Sequence, residues 1–182
     1  AARAGGTKDG LVGVELEGKT IGVVGTGAIG ARVIELAKAF RMNVLAYNRT
    51  PGKVKDVDYV ALEELLEKSD IVSLHVPLTP ETKGIIGEKE LALMKPSAIL
   101  TNTARGPVAD TKALADDLQF GKIAGAGIDV FDAELPLDPA DPLLDTPHTV
   151  VTPHVAFATK ESMIKRAIIE FDNIAAFIGE RK

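Results

Sequence analysis

Short apolar runs alternate with longer stretches of helical spacing from residue 20 to residue 179. Thr20–Val24, Asn43–Tyr47, Ile71–Val76, Ala98–Thr101 and Thr149–Thr152 are each four to six residues long and rich in Val, Ile and Leu. Continuous apolar runs of that length predict strands buried on both faces. Asp58–Val60 predicts a short strand, and Ile123–Ile128 one that contains glycines. Between them, Ala28–Phe40 repeats apolar residues at helical spacing (Ile29, Val33, Ile34, Leu36, Ala37, Phe40). Ala61–Lys68 places Leu62, Leu65 and Leu66 on one helical face. Glu88–Met94 predicts a short helix, Asp110–Phe120 a helix closed by Gly121, and residues 159–179 a long amphipathic helix ended by Gly179. Thr79-Pro80-Glu81-Thr82 reads as a helix start, and Leu135–Pro147 as a proline- and aspartate-rich loop.

Strands alternating with helices predict βαβ units. The expected fold is a Rossmann-type, doubly wound α/β domain, with a mainly parallel sheet and helices on both faces. It is expected to occupy residues 1–182, with a small, glycine-rich lead-in over 1–18.

The first strand runs directly into Gly25-Thr26-Gly27-Ala28-Ile29-Gly30, a G-x-G-x-x-G turn that opens the first helix. Gly25 permits the sharp turn, Gly27 has no Cβ to obstruct a pyrophosphate, and Gly30 lets the helix pack close to the sheet. Free N–H groups and the helix dipole then favour phosphate. In this strand–turn–helix context the motif predicts a dinucleotide site; the plain alternative is an ordinary strand-to-helix turn.

Composition narrows the class. The net charge of −5 gives no reason to expect nucleic acid or an anionic membrane surface as a partner. The absence of cysteine removes disulfide and thiolate chemistry, and three scattered histidines predict no metal site. No apolar run reaches the roughly 18–20 residues of a membrane span, and the N-terminus has no apolar signal core, so a cytoplasmic protein is expected.

Right-handed crossovers place the ligand crevice at the carboxyl ends of the strands. Polar residues at those ends are Asn48 and Arg49, His75, the Asn102–Arg105 stretch, Asp129, Glu134 and His154. The Arg105 guanidinium can hold a carboxylate through two parallel bonds; a surface arginine is the plain reading. His154 can move a proton near neutral pH, and Glu134 can pair with it and raise its pKa; a loop histidine and a solvated acid are the plain readings. Asp129 ends an apolar strand, where a buried carboxylate needs a partner such as a cofactor amide. His75 suits a structural or adenine-side role. His148 reads as an ordinary loop histidine.

The order of these residues resembles the nucleotide-binding domain of the D-isomer-specific 2-hydroxyacid dehydrogenases. The resemblance is carried by residues 18–30, by Ser69–Thr79 (SDIVSLHVPLT), by Leu100–Gly106 (LTNTARG), by Asp129–Glu134 (DVFDAE) and by Thr152-Pro153-His154. It implies that Arg105 binds the substrate carboxylate and 2-oxo group, that His154 is the general acid/base supported by Glu134, and that Asp129 contacts the nicotinamide amide. It also implies a cofactor-lining set of Gly25, Thr26, Gly27, Ala28, Ile29, Gly30, Asn48, Arg49, Thr50, His75, Val76, Pro77, Thr82, Thr103, Ala104, Arg105, Asp129 and His154. The implied activity is reversible reduction of small-molecule 2-oxo acids to D-2-hydroxy acids, by a homodimer.

Three departures stand out. Leu135 replaces a usual proline, and Phe157 a usually small residue. Asn48 stands where the family usually has the aspartate that bonds the ribose 2′-OH, with Arg49 and Thr50 following. NAD or NADP is expected, with a modest preference for NADP, because Arg49 and Thr50 can meet a 2′-phosphate. The family's second, discontinuous substrate domain would flank this stretch, and the chain is expected to lack it. The alternative from a different class is a non-catalytic redox sensor or partner-binding module on the same fold. An S-adenosylmethionine or flavin site is weaker, because Arg105, Glu134 and His154 match dehydrogenase chemistry.

Overall fold

The computed structural model describes residues 13–52, 54–133 and 136–179. Seven strands form one sheet: β1 (Thr20–Val24), β2 (Asn43–Tyr47), β3 (Asp58–Tyr59), β4 (Ile71–Leu74), β5 (Ile99–Asn102), β6 (Gly125–Ile128) and β7 (Thr149–Val151). Every pairing is parallel, in the order β3-β2-β1-β4-β5-β6-β7. The helices are α1 (Ala28–Ala39), α2 (Leu62–Lys68), α3 (Glu88–Leu91), α4 (Thr111–Gln119), α5 (Pro142–Asp145) and α6 (Lys160–Gly179), with a 3-10 turn at Gly106–Val108. The chain winds outward from β1 to β3, crosses back to β4 on the other side of β1, and winds outward again to β7. Strand order therefore reverses between β1 and β4, where open sheets of this kind hold their ligands.

The two faces are covered unequally. On one, Val72, Leu100 and Ala126 lie in register with Gly22 and pack under Leu65, Leu66, Leu91, Leu114, Leu118 and Leu143 of α2 to α5. A Cβ on Gly22 would come within 2.3 Å of the Leu65 side chain, so that glycine sets how closely α2 seats. On the other face α1 buries Ile34 and Ala37 against Ile21, Val23 and Ala46. Farther along that face Ile99 is 37% exposed and Val150 70% exposed. The doubly wound fold is as expected, with α1 seated on this face over β1 and β2 and with Tyr59 of β3 and Ile71 of β4 packed against the same cluster. The amphipathic helix expected over 159–179 is present as α6, with none of its residues buried. Its apolar residues Ile164, Ile168, Ile169 and Phe171 are each more than half exposed.

Other departures from the expected elements have local causes. β4 ends at Leu74, two residues short, as the chain turns toward Pro77, which has no N–H for a ladder. Thr79 and Thr82 start no helix. The Thr82 hydroxyl accepts from the Thr79 amide (2.8 Å) and donates to the Pro77 carbonyl (2.6 Å), closing a turn that Gly84 ends at φ +65°. The expected helix 88–94 stops as α3 at Leu91, and the strand expected from Ile123 begins at Gly125. Within the expected 135–147 loop, Asp141 caps α5 by accepting from the Leu143 amide (3.0 Å), with Pro142 at the first helical position. Asp110 likewise caps α4 through the Ala113 amide (2.9 Å).

Candidate functional site

The carboxyl ends of all the strands lie on one edge, and the glycine turn occupies its centre. The Gly25 amide donates to the Tyr47 carbonyl of β2 (2.8 Å), and the His75 amide donates to the Val24 carbonyl (2.7 Å). The turn thus leaves the sheet where the order reverses. Gly25 has φ +99°, and a Cβ there would lie 2.6 Å from the His75 carbonyl oxygen. A Cβ on Gly30 would lie 1.9 Å from the Gly25 carbonyl oxygen and 3.4 Å from Val23. Gly30 therefore seats α1 chiefly against the turn, and only secondarily against the strand. At Gly27 a Cβ would meet nothing within 4 Å: the space beside it belongs to the crevice. No side chain caps α1 and its first turn has no acid, so its leading N–H groups and positive dipole end are available to an anion. Backbone shape, open volume and charge all fit a pyrophosphate.

Three depressions share walls along this edge. The first, of about 390 Å³, lies beside Gly25, Gly27, Asn48, Arg49, Thr50 and Thr82. The second, of about 410 Å³, is lined by Ile29, Thr103, Ala104 and Arg105 and shares His75, Val76 and Pro77 with the first. The third, of about 120 Å³, shares Leu78 and Arg105 with the second and brings in Asp129 and His154. They form a trench from Arg49 to His154, passing the glycine turn.

At the Arg49 end, Asn48 is already engaged. Its Oδ1 accepts from the Thr26 amide (3.2 Å) and its Nδ2 donates to the Thr50 carbonyl (2.7 Å). One lone pair and one N–H remain for a ribose hydroxyl. Arg49 is exposed and makes no ion pair among the described residues. Across the depression, the Thr79 hydroxyl holds the Glu81 carboxyl below its usual range, with a smaller pull from Arg49. The Thr82 hydroxyl is spent on its own turn.

In the middle, His75 shares a 2.8 Å hydrogen bond with the Ser73 hydroxyl, which takes a bond from Thr101 (2.9 Å). Burial lowers its pKa, favouring the neutral ring.

At the far end, Arg105 leaves β5 just after Asn102, whose side chain donates to the Arg105 carbonyl (2.9 Å) and accepts from the Ala104 amide (3.0 Å). The exposed guanidinium gives one N–H to the Ala104 carbonyl (2.6 Å), leaving four of its five donors. A Cβ on Gly106 would lie 2.0 Å from the Phe131 carbonyl oxygen, so the chain after Arg105 presses directly on the segment after Asp129. His154 is half-buried, with its ring edge-on to Phe157 (centroids 5.6 Å apart, 82°). Phe157, flagged by its size, thus touches the candidate acid/base. Glu134 and Leu135 lie outside the described residues.

Asp129 finds hydrogen-bond donors inside the protein. Its carboxylate, 3% exposed, is satisfied within the chain. Oδ1 accepts from the Thr152 hydroxyl (2.5 Å) and the Val155 amide (2.8 Å), and Oδ2 from the Ala156 amide (2.8 Å). Its carbonyl also accepts from the His154 amide (2.8 Å). Burial pushes its pKa up, but these bonds, with His154 nearby, outweigh burial and leave it below the usual carboxylate range. His154 sits at φ +54° inside the turn they close. A cofactor amide is not needed to satisfy the buried charge, although a lone pair on Oδ2 remains for one.

Sequence spacing gave no sign of Thr152 as a partner of Asp129, or of Tyr59, whose hydroxyl bonds Thr26 (3.1 Å). Among the described residues no cluster of His, Cys, Asp and Glu could hold a metal ion, and no helix is long and apolar enough to cross a membrane.

Residues 1–156 match the family model described as the NAD binding domain of D-isomer specific 2-hydroxyacid dehydrogenases. A glyoxylate reductase of Aeropyrum pernix is 47% identical over 171 residues, covering 92% of this chain and 51% of that protein. The chain thus spans about half the length of the curated relatives it matches. Among solved structures, the D-lactate dehydrogenase of Aquifex aeolicus with NAD and lactic acid aligns at a TM-score of 0.90 and 35% identity, over 98% of this chain and 59% of that one. An acyclic imino acid reductase with NADPH and D-Arg aligns at 0.89 and 36%, over 98% and 58%.

Proposed function

This chain belongs to the D-isomer specific 2-hydroxyacid dehydrogenase family, and from that premise we propose that it forms the dinucleotide-binding half of an enzyme interconverting 2-oxo acids and D-2-hydroxy acids. The observation that carries this reading is the convergence of Arg105, Asp129 and His154 on one small cavity at the end of the trench that starts at the glycine turn. A sensor would need the glycine turn but not an arginine fork and a histidine at the far end.

A nicotinamide dinucleotide held along the trench from the glycine turn would supply the hydride that the carbonyl carbon of the 2-oxo acid accepts. Arg105 binds the substrate carboxylate through parallel N–H bonds and steadies charge developing on the 2-oxo group. His154, protonated, gives its ring proton to that oxygen, and takes it back in the reverse direction. Asp129 holds the turn that aims the ring. Glu134 is assigned from sequence to support His154. Leu78, Phe131 and Phe157 provide apolar surface near the reacting centre, which limits water around it.

Arg49, with Thr50, is proposed to receive a 2′-phosphate, giving tolerance of both cofactors and a modest preference for NADPH. A homodimer is proposed as the assembly, in keeping with the exposed apolar residues of α6 such as Ile168 and Phe171.

In the intact protein, His154→Ala is expected to cut kcat at least about a hundredfold with little change in cofactor affinity, and Arg105→Lys to lower kcat/KM for the 2-oxo acid. Near wild-type turnover in either variant removes that residue from the chemistry. Titration with NADH and NADPH at one ionic strength tests the cofactor reading. A preference for NADH of about tenfold or more (about 1.4 kcal/mol) overturns it, as does an Arg49→Ala variant with unchanged NADPH affinity.

A further inference from the structure

The trench residues account for the glycine turn and for the Asn48–Thr50 segment separately. The structure also ties the two together at a residue that lines neither. Tyr59, on the two-residue edge strand β3, is held in register beside Ala46 of β2. Its ring packs in the cluster under α1. Its hydroxyl donates to Thr26 Oγ1 (3.1 Å) and accepts from the Val54 amide (3.0 Å). Thr26, only 2% exposed, is the central residue of the Gly25-Thr26-Gly27 turn, and its amide donates to Asn48 Oδ1 (3.2 Å). The segment carrying Arg49 and Thr50 is thus fastened to the glycine turn at both ends, by Asn48 on one side and by the Tyr59 hydroxyl on the other.

We propose that Tyr59 is a positioning residue for the dinucleotide: its hydroxyl fixes the phosphate-binding turn and the ribose-side segment relative to each other before the cofactor arrives. Phe at this position would pack equally well but carry neither bond. Part of the ordering would then have to occur on binding, at a cost in affinity. The proposal rests on the dinucleotide reading above.

The test is isothermal titration of the chain with NADH and with NADPH, alongside urea unfolding. Tyr59→Phe is expected to weaken both cofactors by about threefold to tenfold, the range of one or two hydrogen bonds, and NADPH more than NADH, since the loosened segment carries Arg49. Thr26→Val should weaken binding similarly and Thr26→Ser should restore it, because only the latter keeps the hydroxyl. A double Tyr59→Phe, Thr26→Val variant should bind little worse than either single one. Affinities within twofold of wild type, with lowered unfolding midpoints, would show a bond that serves the fold alone and would overturn the proposal. Failure of the wild-type chain to bind either cofactor would overturn the dinucleotide reading itself, and this proposal with it.

Discussion

Replacing Asp129 by Asn removes one charge and almost no volume, and the consequences can be worked out from its partners. The carboxylate receives three donors, two on Oδ1 and one on Oδ2. Asparagine has a single acceptor oxygen. If that oxygen stays with Thr152 and Val155, the new NH2 group faces the Ala156 amide, donor against donor. If it flips to Ala156, two bonds are lost. The better choice forfeits one bond to a charged acceptor and sets the Ala156 amide against a donor, about 2 kcal/mol. The turn has little reserve, because His154 sits at φ +54°, a left-handed geometry that costs a non-glycine residue about 1 kcal/mol or more. For a chain of 182 residues, about 2 kcal/mol corresponds to a drop of about 4–8 °C in Tm. Calorimetry of the isolated chain reads that term, and kinetics of the intact protein read the second: kcat should fall well before the cofactor KM rises, because the damage lies at His154 and far from the glycine turn. A variant with Tm within about 1 °C of wild type and unchanged kcat would show that Asp129 does not hold this turn.

The glycines of the turn should separate folding from binding. Gly30→Ala drives a Cβ into the Gly25 carbonyl and should cost about 3 kcal/mol or more in urea unfolding, whereas Gly27→Ala, with open space and φ −68°, should keep the unfolding midpoint and lose about tenfold or more in dinucleotide affinity. If the two variants behave alike, the division of labour within the motif is wrong. The depressed pKa values of His75 and Asp129 give stability the same pH dependence. In each case the folded state binds protons more weakly than the unfolded one. The contribution is therefore complete above the unfolded pKa and lost as pH falls through it toward the folded value. His75 should act between neutral and mildly acidic pH, and Asp129 below that. Urea midpoints measured from pH 8 to pH 5 should fall less steeply for His75→Gln than for wild type, and equal slopes would refute the assignment.

Much of this was written into local sequence. The continuous apolar runs marked the strands, although Ile99 of β5 and Val150 of β7 stay exposed on one face. Gly25, Gly27 and Gly30 marked the turn, because backbone crowds any Cβ at Gly25 and Gly30, while Gly27 keeps open the space a pyrophosphate would approach. Arg105, Asp129 and His154 were legible as a group because a parallel sheet with right-handed crossovers brings every strand's carboxyl end to one edge. Tertiary structure decided what those residues do with their atoms. The Asp129 carboxylate finds its donors 23 to 27 positions away, and Tyr59 meets Thr26 across 33, separations over which no helical or strand period carries information. It also decided against a helix at Thr79–Thr82: the same hydroxyls that can cap a helix can close a turn, and the choice rests with the Pro77 carbonyl. The apolar stripe of α6 was plain in its spacing, yet spacing records only that a face is apolar. Burial depends on a second surface packing onto that face, and no residue of α6 is buried.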